Sequence, residues 1–214
     1  MCGFIGQISR SNINHENISS QNERIICRGP DEKKHIHGRV SEFNVSSNLN
    51  YSFIFNRLSI VDLSDKASQP MYSKIHNSMI FFNGEIYNHR ELRKELEIAG
   101  SEFKSNHSDT EVILIGISTK GIDFIKKLIG QYSIVFIDFN KMRSYLVRDR
   151  LGQKPLFYNT ENESFNFSSN LKSISNIIQQ KFISEQGIDN FLNYGVVPSP
   201  DTIFKNIYKV EPAQ

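Results

Sequence analysis

Apolar residues along this chain either alternate with polar ones or cluster in short blocks, and only a few stretches take up a helical period. Residues 4–9 (FIGQIS) predict a first strand leading out of a Cys2-Gly3 turn. The polar run 11–24 has no firm period and predicts a loop, with room for a short helix ending near Ile26. One strand is expected around 36–40, and the aromatic and β-branched residues of 51–63 (YSFIFNRLSIVDL) predict another, ended by SDKASQP. NSMIFFNGEIYN (77–88) reads as two short strands joined at Asn83-Gly84, a strong hairpin signal.

From Asn88 the period changes. HRELRKELEIAG sets Leu92, Leu96 and Ala99 on one face and charges on the other, with Gly100 at the C-terminal end. Ser108 or Asp109 caps a second helix, with Ser108 and Glu111 spaced as in a capping box, and Gly121 breaks it. A third helix, IDFIKKLI, closes at Gly130. Four strand-like segments follow within 132–169, joined by connections too short for crossover helices, which predicts an antiparallel meander. Helices are expected at about 170–180 and 184–194, and the remainder is extended, punctuated by Pro198 and Pro200. Strands, helices, strands, helices is the order of an α+β protein with layered sheets. Residues 1–195 are expected to form one domain, with 196–214 the start of a linker.

Composition narrows the function classes. The 214 residues are 38% hydrophobic and 22% charged, with a formal net charge of +2 and no basic run interleaved with aromatics. That excludes the electrostatic footprint of a nucleic-acid or anionic-membrane binder. No stretch approaches the roughly 18 apolar residues of a membrane span, and no charged leader with a long apolar region opens the chain. A cytoplasmic location is expected. Two cysteines, Cys2 and Cys27, make no disulfide framework. His35 and His37, two apart, lack the cysteine or carboxylate spacing that would complete a zinc site.

The candidate chemistry begins at Cys2. Removal of Met1 would leave a thiol and a free α-amine on one residue, a nucleophile with its own base, because the amine titrates at about 7.7–8.0 and the thiol at about 8.5. On these residues alone, a retained Met1 with Cys2 as an ordinary small residue stays open. Four further stretches hold polar residues in strand-like or capping contexts: Arg57, Asn83-Gly84-Glu85, Asp109 and Arg148-Asp149. Each also has a plain reading, as an edge charge, a turn, a helix cap or a surface pair.

Together with MCGFIG, the stretches RGPDE, RLSIVDLSDKASQPM, FNGEIYNHRELR, SDTEVIL, RDRLGQKPLFY, FSSNLKSI and GVVPSPDTIFKNIYKV resemble, in order and approximate spacing, the N-terminal glutaminase domain of bacterial asparagine synthases. This is the class II glutamine amidotransferase domain of the N-terminal nucleophile hydrolases, and the resemblance covers nearly the whole chain. It implies a four-layer αββα sandwich of antiparallel sheets. It also implies glutamine hydrolysis through a thioester on Cys2, with Asn83 and Gly84 as the oxyanion hole. Arg57 would take the substrate α-carboxylate and Asp109 the α-ammonium; Glu85 would help fix the amine end, and Ile60 and Val61 would line the same site.

No cofactor is implied in this domain. ATP and magnesium are expected only in the ATP-pyrophosphatase half that such synthases carry, whose SGGxDS phosphate loop is not in this sequence. The implied partners are glutamine and a synthetase domain or subunit that receives the ammonia, and a homodimer is compatible. Two alternatives accompany this reading: a non-catalytic interaction or regulatory remnant, and an N-terminal nucleophile hydrolase acting on another amide. The sequence departs from the family pattern at Cys27, where a histidine usually stands, at Asn170, where a glutamate does, and at Pro212-Ala213-Gln214.

Overall fold

The computed structural model describes every residue except Met1, Ile60, Val61, Leu63 and 179–181. Two antiparallel sheets stack face to face between layers of helices. The strands are β1 (Gly3–Ser9), β2 (Glu32–Arg39), β3 (Asn50–Arg57), β4 (Met71–Ser73), β5 (Ser78–Ile86), β6 (Gly130–Asp138), β7 (Arg143–Arg148), β8 (Phe157–Asn159), β9 (Ser164–Ser168) and β10 (Tyr208–Lys209). The helices are α1 (His15–Ser20), α2 (His89–Ile98), α3 (Asp109–Lys120), α4 (Leu171–Ile177) and α5 (Glu185–Tyr194). One sheet runs β10-β8-β9-β1-β3-β2 and the other β4-β5-β6-β7.

Strand alternation builds the layers, because successive side chains point to opposite faces. In β3, Tyr51, Phe53 and Phe55 enter the core between the sheets, while Ile54 faces the opposite way, toward α1 and α4. In β5, Met79 and Phe81 join the same inter-sheet core, while Ile80, Phe82 and Ile86 face α2 and α3. Three apolar cores between four layers result, as expected for an αββα sandwich.

The middle core is aromatic. Phe53 and Phe167 each meet the Phe81 ring edge-on, at 5.1 and 5.0 Å between centroids, and so join the two sheets. Such pairs add about 0.5–1.5 kcal/mol beyond their area. Gly6 makes room for this packing: a Cβ there would lie 2.2 Å from the Phe167 ring.

Several local expectations are corrected. Asn83-Gly84 is no hairpin turn: β5 runs unbroken through it, with Asn83 opposite Ser133 and Gly84 opposite Tyr132. Pairing with a long neighbouring strand overrides the turn preference of the dipeptide. A Cβ at Gly84 would lie 2.1 Å from the Gln131 carbonyl oxygen, so the glycine serves close strand approach. The expected meander is divided: β6 and β7 belong to one sheet, β8 and β9 to the other. The third expected helix is a 3-10 turn, Ile122–Lys127. Ser108 caps α3 through the Glu111 N–H, but the Glu111 carboxylate accepts from Lys104 N and Ser105 N, both at 2.8 Å, so only half of the capping box forms.

Within 196–214, Tyr208 and Lys209 pair with Tyr158 and Phe157 at the sheet edge, and Thr202, Ile207 and Val210 are buried. Asn170 caps α4 by accepting from Ser173 N at 3.0 Å, a role for which asparagine is a preferred residue.

Candidate active site

The inter-sheet core is apolar along most of its length and turns polar at one end. Continuing the alternation of Phe53 and Phe55 leads to Arg57; continuing that of Met79 and Phe81 leads to Asn83; stepping back from Phe4 leads to Cys2. The same register that buries phenylalanines therefore gathers a thiol, a guanidinium and an amide. They line one cavity of about 120 Å³ together with Leu58, Gly84, Glu85, Asp109 and Lys154.

Cys2 is half-buried, and its Sγ accepts from the Leu58 N–H at 3.4 Å. Burial pushes the thiol pKa up; the Leu58 hydrogen bond and the charge of Arg57 work in the opposite direction. Its backbone carbonyl accepts from Arg28 Nε at 3.3 Å, which fixes the start of the chain against the turn that follows α1.

Arg57 is 6% exposed and is held by three acceptors. Its Nη1 donates to Glu32 Oε2 at 3.2 Å and to the Ser64 carbonyl at 3.1 Å, and its Nη2 donates to the Asp62 carbonyl. Asp109, the first residue of α3, is also 6% exposed and accepts from Ile86 N at 3.2 Å and Thr110 N at 2.8 Å. Burial raises its pKa to about 6 in spite of these hydrogen bonds and the charge of His89; the neighbouring Glu85 adds to the rise.

Asn83 differs from both. It is fully buried, and neither its Oδ1 nor its Nδ2 has a hydrogen-bond partner among the described residues. Ser133, directly across the ladder, is likewise fully buried with an unpartnered Oγ. A buried polar group left unpaired costs about 1–3 kcal/mol, and the Asn83 amide, which lines the cavity, is uncommitted toward whatever enters it.

Of the residues expected at the site, Cys2, Arg57, Asn83, Gly84, Glu85 and Asp109 all line the cavity. Ile60 and Val61 lie outside the described residues. Arg148 and Asp149 do not join it; they organise the crossing from one sheet to the other. Burial works to raise the Asp149 pKa, but backbone N–H groups of Tyr132, Leu151, Gln153 and Lys154 outweigh it and hold the carboxyl below its ordinary value.

Gln69 and Lys154 line the cavity without having been singled out. Gln69 accepts from Phe82 N at 2.7 Å and donates to Phe82 O and Thr110 Oγ1, tying the segment before β4 to β5 and α3. No periodicity marks either residue. His15 of α1 packs against His37 with the rings tilted by 31° and 4.3 Å between centroids, and His35 lies beyond it. No group of three or more His, Cys, Asp or Glu side chains among the described residues is arranged to hold a metal ion. No helix among them is long and apolar enough to cross a membrane.

The whole chain is similar to known proteins. The chain is 33% identical to asparagine synthetase [glutamine-hydrolyzing] 1 of Bacillus subtilis over 99% of its length, and 36% identical to asparagine synthetase [glutamine-hydrolyzing] 2 of the same organism over 81%. It spans 32% and 22% of those two proteins. The fold is similar to that of glutamine phosphoribosylpyrophosphate amidotransferase from B. subtilis, with a TM-score of 0.62, 16% identity, and coverage of 82% of this chain and 43% of that one. The glutamine amidotransferase domain family matches residues 1–214 in full, and the chain belongs to that family.

Proposed function

We propose that the cavity hydrolyses glutamine to glutamate and ammonia through a thioester on Cys2. What carries the reading is Asn83, a fully buried amide whose side chain has no partner among the described residues, in the same cavity as a thiol. An oxyanion hole requires donors that are in place before charge develops and are not committed elsewhere.

In this reading Arg57 binds the substrate α-carboxylate and Asp109 its α-ammonium, with Glu85 near the amine end. Once Met1 is removed, the Cys2 amine takes the thiol proton and Sγ attacks the side-chain amide carbon. The oxyanion is held by Asn83 Nδ2 and the Gly84 N–H. The C–N bond then breaks, and the leaving nitrogen departs as ammonia with the proton returned by the amine. Water adds to the thioester carbon, releases glutamate and restores the thiol. No step needs a cofactor.

The ammonia would serve an ATP-dependent synthetase domain or subunit, asparagine synthesis being the default acceptor reaction. This extension rests on the relatives' names and on their greater length, of which the chain spans about a third or less in the two above.

The test is glutamate release from glutamine by protein whose mass shows Met1 removed. Turnover above that of Cys2→Ala supports the reading; none sinks it, and leaves the non-catalytic alternative.

A further inference from the structure

Arg57 carries five N–H donors. Three are used, two on Nη1 by Glu32 and Ser64 and one on Nη2 by Asp62. The Nε–H and the second Nη2–H remain, and no acceptor meets them among the described residues. These two nitrogens share one edge of the guanidinium plane, with the spacing that takes both oxygens of a carboxylate. Which edge of Arg57 faces the cavity therefore depends on what holds Nη1.

Glu32 does much of that holding. It is the first residue of β2 and sits directly opposite Arg57 in the ladder with β3. Its Oε2 takes Arg57 Nη1, and its Oε1 accepts from Ser68 Oγ. The preceding residue works on the same segment from its other end: Asp31 Oδ2 accepts from Ser59 N at 2.7 Å. Two adjacent carboxylates thus hold Ser59 and Ser68; Leu58, beside Ser59, donates to the Cys2 thiol, and Leu58, Ser59, Asp62 and Ala67 line the cavity.

We propose that Glu32 is a positioning residue for substrate binding: it turns Arg57 so that its unfilled edge meets the substrate α-carboxylate, and it holds Ser68 beside the cavity wall. The proposal rests on the glutaminase reading. It is separable from a simpler role in which Glu32 only neutralises Arg57, because the two have opposite signs. Removing a neutralising charge strengthens Arg57 for a carboxylate and lowers KM; removing a positioning group raises KM.

Glutamine kinetics on Met1-processed full-length E32A and E32Q separate them. For E32A the expected result is a KM about tenfold higher with kcat within twofold. E32Q keeps an oxygen for Nη1 and a second polar atom for Ser68, and its KM is expected within about threefold of the unsubstituted protein. An unchanged or lowered KM in both variants overturns the proposal. Ser68→Ala, which removes only the hydroxyl on the far oxygen, is expected to raise KM two- to threefold and serves if E32A does not fold; an unchanged KM there counts against the proposal.

Alkylation of Cys2 adds a readout that a general loss of structure would not give. E32A should slow labelling by 6-diazo-5-oxo-L-norleucine, which carries glutamine's amino-acid end, about tenfold and leave labelling by iodoacetamide unchanged. Equal slowing of both overturns positioning. If unsubstituted Cys2 takes iodoacetamide but not the analogue, the glutaminase reading fails, and the proposal falls with it.

Discussion

The two ends of the cavity are built on opposite principles. At the Arg57 and Asp109 end the charged groups are engaged by the protein itself: three acceptors on the guanidinium and two backbone N–H groups on the carboxylate. At the Asn83 end neither side-chain polar atom of Asn83 has a partner among the described residues. A group already held keeps its direction whether or not substrate is present, which suits recognition of an unchanging amino-acid end. A group left unpaired gains most when a new acceptor forms beside it, and such differential gain is what accelerates a reaction. The comparison predicts that damage at one end appears in KM and at the other in kcat.

The nucleophile belongs to neither end and should give the largest effect. An uncleaved N-terminal extension turns the Cys2 amine into an amide and removes the proposed base. The expected fall in kcat is about 10²- to 10⁴-fold, the range for general base catalysis, with labelling of the thiol by iodoacetamide retained. An extended protein that turns over normally, with the extension verified by mass, would remove the amine from the mechanism.

Asn83→Ala comes next. Loss of one oxyanion donor costs about 10²- to 10³-fold in kcat, and KM should move little. Stability is the sharper readout. Removing an unpartnered buried amide relieves its desolvation penalty, so the variant should melt at the same temperature or higher, unlike most core truncations. A large drop in melting temperature would mean that Asn83 has a structural partner. Arg57→Lys should fall on the other side of the comparison. Lysine cannot reproduce the planar fork, so KM should rise about ten- to hundredfold while kcat is largely kept.

These expectations depend on positions that were unequally legible in the sequence. The layers follow from alternation in YSFIFNR and SMIFFNG, and the site is where that alternation runs from phenylalanine into Arg57 and Asn83. Asn83-Gly84 was visible as special, but the local turn signal pointed to a hairpin, because dipeptide preference carries no knowledge of a nine-residue partner strand. Glu32 closes the RGPDE stretch and no pattern marks it; its proposed role comes from a cross-strand register that only the assembled sheet supplies. Gln69 and Lys154 reach the cavity from loops, where no period announces a direction. Asp149 was the reverse case, a conspicuous carboxylate whose oxygens are spent on backbone N–H groups of its own loop and of Tyr132 in β6.

The smallest effect expected near neutral pH is a pH dependence that locates Asp109 within the comparison. Its pKa is raised to about 6, chiefly by burial. If glutamine's ammonium binds the ionised carboxylate as proposed, Asp109 should add its own limb to kcat/KM, which reports the free enzyme: below the limb of the Cys2 amine at about 7.7–8.0, the Asp109 factor should halve near pH 6 and fall a further tenfold or so per unit beneath it. The bound ammonium favours ionisation, so the same limb should shift to lower pH in kcat. Stability runs the other way. A carboxyl whose folded pKa lies above its unfolded value of 3.8 binds more protons in the folded state between those values, so its contribution weakens as pH rises from about 4 to 6. The protein should therefore lose part of its stability over the interval in which it gains catalytic competence. Asp109→Asn should abolish both trends. A variant that kept the stability trend but lost the kinetic one would assign the stability term to another buried group and leave Asp109 to the substrate alone.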